Sequence, residues 1–93
     1  MPSYRRKPID FVIDVRSRLE FWMGHLEGAT CIPVHKLADV LPKRGDVTKD
    51  TRILVYCASG ARSGAAAGVL KSLGYRKVTD GGGMVAARAG YEA

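Results

Sequence analysis

Cys57 is the residue best placed to do chemistry. It follows the apolar run Arg52-Ile-Leu-Val-Tyr directly and is followed by Ala58, Ser59, Gly60, Ala61, Arg62 and Ser63. A β-branched run of that kind reads as a buried strand, and the alanine-rich stretch beginning at Gly64 reads as a helix. A thiol between the carboxyl end of a strand and a helix N-terminus sits where open α/β sheets place their sites. Backbone N–H groups of residues 58–63 and of the helix start then point toward the sulfur, which favours an anion and lowers the thiol pKa. Gly60 reaches positive φ at little cost, so consecutive amides can converge. Arg62 adds a full charge and a planar donor fork. Together these make an activated nucleophile beside an anion site. Ser59 can orient the anion through its hydroxyl or cap the helix, and Ser63 leans toward capping.

The other candidate residues read as structure. A cysteine outside such a context is usually an inert small hydrophobe, and Cys31, in a short apolar run ending at Pro33, is read as core, with a resolving thiol for Cys57 as the lesser alternative. Trp22 beside Phe21 is read as core rather than as a substrate platform. Gly60, Gly64 and Gly68 recur every four residues, as they would if the helix had to approach the sheet closely, and they form no dinucleotide fingerprint. No CxxC pair is present and His25 and His35 lie ten apart, so no metal site is expected.

The elements that must position Cys57 alternate in type. Residues 9–15 read as a buried strand. Residues 17–23 read as one or two helical turns with Ser17 as N-cap and Glu20 at the capping-box distance, ended by Gly24. Residues 29–34 are a second short apolar run, and residues 36–41 have a helical pattern stopped by Pro42. After the strand at 52–56, the helix at 64–73 ends where Gly74 occupies the C′ position. A short strand at 76–79, the Gly81–Gly83 run and a short alanine-rich helix from Met84 complete the chain. Strands alternating with helices through short links predict an α/β layer with a mostly parallel sheet.

Composition bounds the function. The chain has 93 residues, enough for one domain, and a hydrophobic fraction of 46% excludes a disordered chain. We divide it into a basic arm at 1–8 and a single domain at 9–93. Fifteen Lys and Arg against nine Asp and Glu give a net charge of +6, half of it from Arg5, Arg6 and Lys7. Such an arm is read as a solvated tail. The charge suits anionic substrates, and no nucleic acid partner is expected. No apolar stretch is long enough to span a membrane, and no apolar segment of signal-peptide type follows the arm, so neither membrane spanning nor secretion is expected. Two lone thiols fit a reducing compartment, and the cytoplasm is the expected location.

These residues resemble the rhodanese (thiosulfate sulfurtransferase) family in its small single-domain form. The resemblance rests on Cys57-Ala-Ser-Gly60-Ala-Arg62-Ser63 after Ile53-Leu-Val-Tyr; on Asp14-Val15-Arg16 with Glu20-Phe21, Gly24-His25-Leu26-Glu27-Gly28-Ala29 and Ile32-Pro33; and on Leu73-Gly74-Tyr75, Val78 and Gly81–Gly83. It covers residues 9–90. It implies a rhodanese-like open parallel sheet flanked by helices, shortened at the N-terminus because the family's usual first strand and helix are not seen ahead of Asp14. It implies Cys57 as the sulfur-carrying nucleophile and Ala58, Ser59, Gly60, Ala61, Arg62 and Ser63 as the loop that binds the persulfide or its anionic donor. Thiosulfate would be the donor, cyanide or a thiol the acceptor, and no metal or organic cofactor would be required. The resemblance makes His25 structural and Asp14 and Arg16 an internal hydrogen-bonded pair. Three positions depart from the pattern: the missing first elements, the lack of the tryptophan common after the glycine run, and Cys31 where the family often has Asn.

Two rival activities share parts of this pattern. Phosphatases and arsenate reductases use a cysteine, a loop and an arginine, but with five intervening residues; here four separate Cys57 from Arg62. The shorter loop suits a single sulfur atom on the cysteine better than a tetrahedral phosphate, so phosphatase activity is expected to be negligible. A relay module that takes persulfide from one protein partner and passes it to another is compatible with the same residues.

Overall fold

Period-2 alternation in the apolar strands decides how the layers stack, because successive side chains leave a strand on opposite faces. In the computed structural model, which describes residues 1–93, the strands are β1 (Ser3–Tyr4), β2 (Lys7–Pro8), β3 (Phe11–Asp14), β4 (Thr30–Cys31), β5 (Arg52–Tyr56), β6 (Lys77–Asp80) and β7 (Tyr91–Glu92). The helices are α1 (Arg18–Met23), α2 (Leu37–Val40), α3 (Ala61–Ser72) and α4 (Met84–Gly90), with single 3-10 turns on either side of α2. Four strands form the main sheet in the order β4-β3-β5-β6, and every neighbouring pair in it is parallel. The expected α/β fold with a parallel sheet is therefore present.

Each face of that sheet carries its own core. Ile13 and Val15 from β3 and its extension join Ile53, Val55 and Cys57 from the β5 line, packed with Leu37, Leu41, Ala66 and Leu70. The alternate residues Val12, Leu54 and Tyr56 pack on the opposite face with Tyr4, Ile9, Leu26 and Ala87. Fully burying a side chain such as Ile53 or Leu54 contributes roughly 1.5–3 kcal/mol. The same alternation gives Cys57 its direction, since it follows Ile53 and Val55 in phase and so faces the layer that holds α3.

Several expectations need correction. Residues 3–8 are not a free basic tail. β1 pairs antiparallel with β2 and also with the last strand, β7, at Ser3↔Glu92 and Tyr4↔Tyr91. Tyr4 is the reason, because its ring is buried in the second core while Arg5 and Arg6 at the hairpin tip keep their charges in water. Both tip residues have positive φ, the conformation a tight two-residue hairpin turn requires. Strands thus do precede the one ending at Asp14, although they lie in a separate small sheet. The run at 29–34 yields only the two residues of β4, because the chain turns at Pro33 into the 3-10 turn at Val34–Lys36. Trp22 is 81% exposed: α1 buries no residue, and polar anchors rather than packing hold it. Gly64 and Gly68 face solvent and a Cβ at Gly68 would meet nothing within 4 Å, so they do not mediate close helix–sheet approach. The close approaches belong to Gly81, Gly83 and Gly90, the last against the Tyr4 ring of β1.

Candidate active site

Cys57 continues the β5 line and is fully buried as a residue. Its amide donates to Gly82 O at 2.9 Å, which fixes its backbone against the glycine turn. The chain then bends through Gly60, whose φ of +105° is left-handed backbone that a side chain would strain. Sγ accepts from Gly60 N at 2.9 Å and from Ser63 N at 3.3 Å. Helix α3 begins at Ala61, three residues earlier than the alanine-rich run indicates, so Arg62 and Ser63 lie in its first turn and not in the loop. The positive end of the 12-residue helix therefore abuts the sulfur. Burial pushes the Cys57 thiol up, but hydrogen bonds from the Ser63 hydroxyl and from the amides of Ser63, Gly60 and Ser59 outweigh it, and the net shift is downward. The Ser63 hydroxyl also donates to Gly60 O at 3.0 Å. Its single proton has two acceptors in reach, so the amides are the constant part of the cradle. Ser63 is buried and caps no helix with its side chain, whereas Ala58, Ser59 and Ala61 are exposed around the mouth.

The loop is braced from behind by Gly81–Gly83. Gly81 N donates to Val55 O at 2.7 Å and Met84 N to Ala58 O at 3.1 Å. A Cβ at Gly83 would stand 2.7 Å from Ala58 O and 3.0 Å from Ser59 Cα. Close approach thus requires glycine at Gly81 and Gly83, and at Gly83 that alone, because its φ of −78° is open to any residue, whereas Gly82 is required by its φ of +75°.

Arg62 does not extend as a free cation. Its Nη1 donates to Glu20 Oε1 at 2.7 Å and its Nη2 to Glu20 Oε2 at 2.9 Å. Glu20 in turn accepts from Ser17 N and Ser17 Oγ at 3.1 and 3.0 Å, completing the expected capping box of α1. The Arg62 guanidinium, helped by the Ser17 amide, holds the Glu20 carboxyl down at about 2. The sequence presents Glu20 as a cap and as part of the family resemblance, and neither reading contains its contact with Arg62. That contact spans 42 positions, and no local spacing reports it.

The Asp14–Arg16 pair forms as expected. Asp14 is fully buried and Arg16 nearly so; Arg16 Nη2 reaches Asp14 Oδ2 at 2.7 Å and Gly24 O at 2.6 Å. The second contact pins the end of α1, so the pair orients the helix that carries Glu20. His25 has a structural role: its ring stacks on Phe21 with centroids 3.6 Å apart, and Nδ1 lies 2.8 Å from Phe21 O. Cys31 is half-buried rather than core. It lines a surface cavity with Arg18, Phe21, Trp22 and His25, and burial raises its thiol pKa, the opposite of Cys57.

The model of the rhodanese-like domain matches residues 3–86, a span that includes the hairpin first read as an arm. Among curated relatives, a tRNA uridine(34) hydroxylase of Enterobacter sp. (strain 638) is 36% identical over 69 residues, covering 71% of this chain and 20% of that protein. The Escherichia coli (strain K12 / DH10B) protein of the same name is 35% identical over 74 residues, covering 76% of this chain and 21% of its own length. The chain thus spans about a fifth of these relatives. Among solved structures, the Alr3790 protein from Anabaena sp. superposes with a TM-score of 0.79 at 31% identity, over 94% of this chain and 80% of that one. A rhodanese-like domain protein from Staphylococcus aureus gives 0.72 at 32%, over 87% and 76%. On the family model and these neighbours together, the chain belongs to the rhodanese-like domain family.

Proposed function

We propose that this domain is a sulfurtransferase that carries a sulfane sulfur on Cys57. The observation that supports it best is the cradle itself: a buried thiol, accepting from two backbone amides at the start of a helix and held below its ordinary pKa. The Cys57 thiolate attacks the sulfane sulfur of thiosulfate, the S–S bond breaks, and sulfite leaves with the bonding pair. The Cys57 persulfide then occupies the cradle, where the amides that held the thiolate face the new terminal sulfur. A thiophilic acceptor, cyanide or a thiol, removes that sulfur and restores the thiolate. The chemistry balances without an electron donor, and we assign it no metal or organic cofactor. A relay between protein partners uses the same two steps with a protein persulfide as donor.

Similarity to tRNA uridine(34) hydroxylases over about three quarters of the chain supports a second reading, in which the domain serves a tRNA-modifying enzyme. The test that separates these is intact mass after brief thiosulfate exposure without reductant. A gain of one sulfur, about 32 Da, on the wild type and not on Cys57→Ala is the expected result. Absence of the adduct with thiosulfate and with a persulfide donor alike would overturn the sulfur-carrier reading and leave the tRNA one.

A further inference from the structure

The mouth of the Cys57 site carries a charge arrangement that the sulfur chemistry does not itself require. Arg62 is the cation nearest the cradle in sequence, and the Cys57 thiolate acts on it electrostatically. Its terminal fork, the edge best shaped for two oxygens of an oxyanion, is filled by Glu20. Glu20 is held in place by more than this contact, since Ser17 N and Oγ also bind its Oε1. The carboxylate is therefore positioned before any substrate arrives. With the thiolate, the guanidinium and the carboxylate together, the mouth is net negative by one charge. Of the other arginines near α1, Arg16 is committed to Asp14 and Arg18 lines the separate cavity with Phe21, Trp22, His25 and Cys31.

We infer that Glu20 is a specificity-determining residue of this site: by occupying Arg62 it disfavours free divalent sulfur anions and favours a persulfide donor of low charge. This deepens the proposed sulfur transfer and rests on it for the identity of the donor. For such a donor, R–S–SH, the Cys57 thiolate attacks the outer sulfur, the inner S–S bond breaks, R–S⁻ leaves with the electron pair, and the proton stays on the new Cys57 persulfide. The donor enters in this step uncharged and one negative charge leaves on R–S⁻, so the mouth never accumulates more. Thiosulfate, by contrast, brings two negative charges up to a site that already holds a thiolate and a carboxylate.

Glu20→Gln isolates the charge, because Gln serves equally well at the third position of a capping box and can still accept from Ser17. The first readout is alkylation of Cys57 by iodoacetate, an anion, relative to iodoacetamide, its neutral counterpart; the ratio cancels any change in thiolate fraction. Removing one charge from the mouth should raise that ratio about fivefold at low salt, and the gain should fade at high salt. The second readout is kcat/KM for thiosulfate, a dianion, against that for the persulfide of N-acetylcysteamine, which carries at most one negative charge. The thiosulfate value should rise by a similar factor and the persulfide value by less. An alkylation ratio unchanged in Glu20→Gln overturns the inference even if thiosulfate is turned over. A raised ratio with neither donor loading Cys57 retains the charge selection and overturns the donor assignment together with the sulfur-transfer reading. Should the variant fail to fold, the wild type decides: a high iodoacetate preference that collapses with salt would show Arg62 free and overturn the inference, while a flat, low ratio supports it.

Discussion

Replacing Gly83 by alanine tests whether the glycine run braces the Cys57 loop. The new Cβ would lie 2.7 Å from Ala58 O, where ordinary contact begins near 3.4 Å, so one side must yield by about 0.7 Å (3.4 − 2.7). Both sides are backbone, and neither can swing away as a side chain would. The bond from Met84 N to Ala58 O, at 3.1 Å, and that from Cys57 N to Gly82 O, at 2.9 Å, tie the two segments together on either side of the clash. Overpacking of this kind costs about 1–3 kcal/mol, equivalent to a fall in Tm of roughly 5–20 °C for a domain of this size. The loop is the softer side, and its displacement should lengthen the contact from Gly60 N to Sγ. Weakening one hydrogen bond to a charged acceptor by about 1.4 kcal/mol raises the thiol pKa by roughly one unit. The assay is the pH dependence of iodoacetamide alkylation, read beside a urea melt. Gly60→Ala is the informative control, since its Cβ meets nothing nearer than 3.7 Å and its cost, about 1–2 kcal/mol, comes from left-handed backbone instead. A Gly83→Ala protein with wild-type stability and an unmoved thiol pKa would refute the brace.

Three other perturbations have defined outcomes. Asp14→Ala leaves the Arg16 guanidinium buried without its partner and frees the end of α1; a loss of about 3–5 kcal/mol in denaturant unfolding is expected, and a loss under 1 kcal/mol would show the site to be wetter than it looks. Arg62→Ala should lower kcat/KM for thiosulfate by about 1–3 kcal/mol of transition-state stabilisation and raise the Cys57 pKa, because Glu20 then faces the thiolate uncompensated; unchanged values in both would reduce Arg62 to scaffold. Asp10 and Glu20 are held down at about 2, chiefly by hydrogen bonds from Arg52 and Arg62 respectively. Folded values below the unfolded ones stabilise the protein fully above about pH 4.5, and that stabilisation is lost as pH falls through about 2. Urea midpoints measured from pH 6 to pH 2 should decline over that window, less steeply in Glu20→Gln, and a flat profile would discount both pairs as screened surface contacts.

What was legible in the sequence follows from the range of the forces involved. The strand at Arg52–Tyr56 was read to the residue because an apolar β-branched run between a polar loop and a glycine-rich bend has few alternatives. Ser17 and Glu20 gave the N-terminus of α1, since capping is settled within four residues. The sequence puts the start of α3 late because Arg62 and Ser63 are polar and read as loop; their hydrogen bonds to Glu20 and to the Gly60 carbonyl supply partners that helix propensity does not contain. Trp22 was misplaced for the converse reason. Large apolar residues are buried on average, but α1 is too short and too polar-anchored to turn a face into the core. The hairpin at the start of the chain was hidden by its charges, since Tyr4 alone announces that the segment packs. In the site, Cys57 and its loop were visible as a local motif, whereas the engagement of Arg62 by Glu20 exists only after folding brings two distant segments together.

The pairing of β1 with β7 closes the fold on itself, and it has a mechanical consequence. Ser3 and Glu92 are direct cross-strand partners, so tension applied through the two ends of the domain opens that ladder like a zipper, one rung at a time, rather than shearing all its bonds together. The ladder has only two registered pairs, so it should yield at low force. The parallel sheet that holds Cys57 takes no load until the clasp has gone, because its strands β3, β5 and β6 lie inside the closed ring of chain. Force would therefore first strip Tyr4 from its core and leave the sulfur cradle standing.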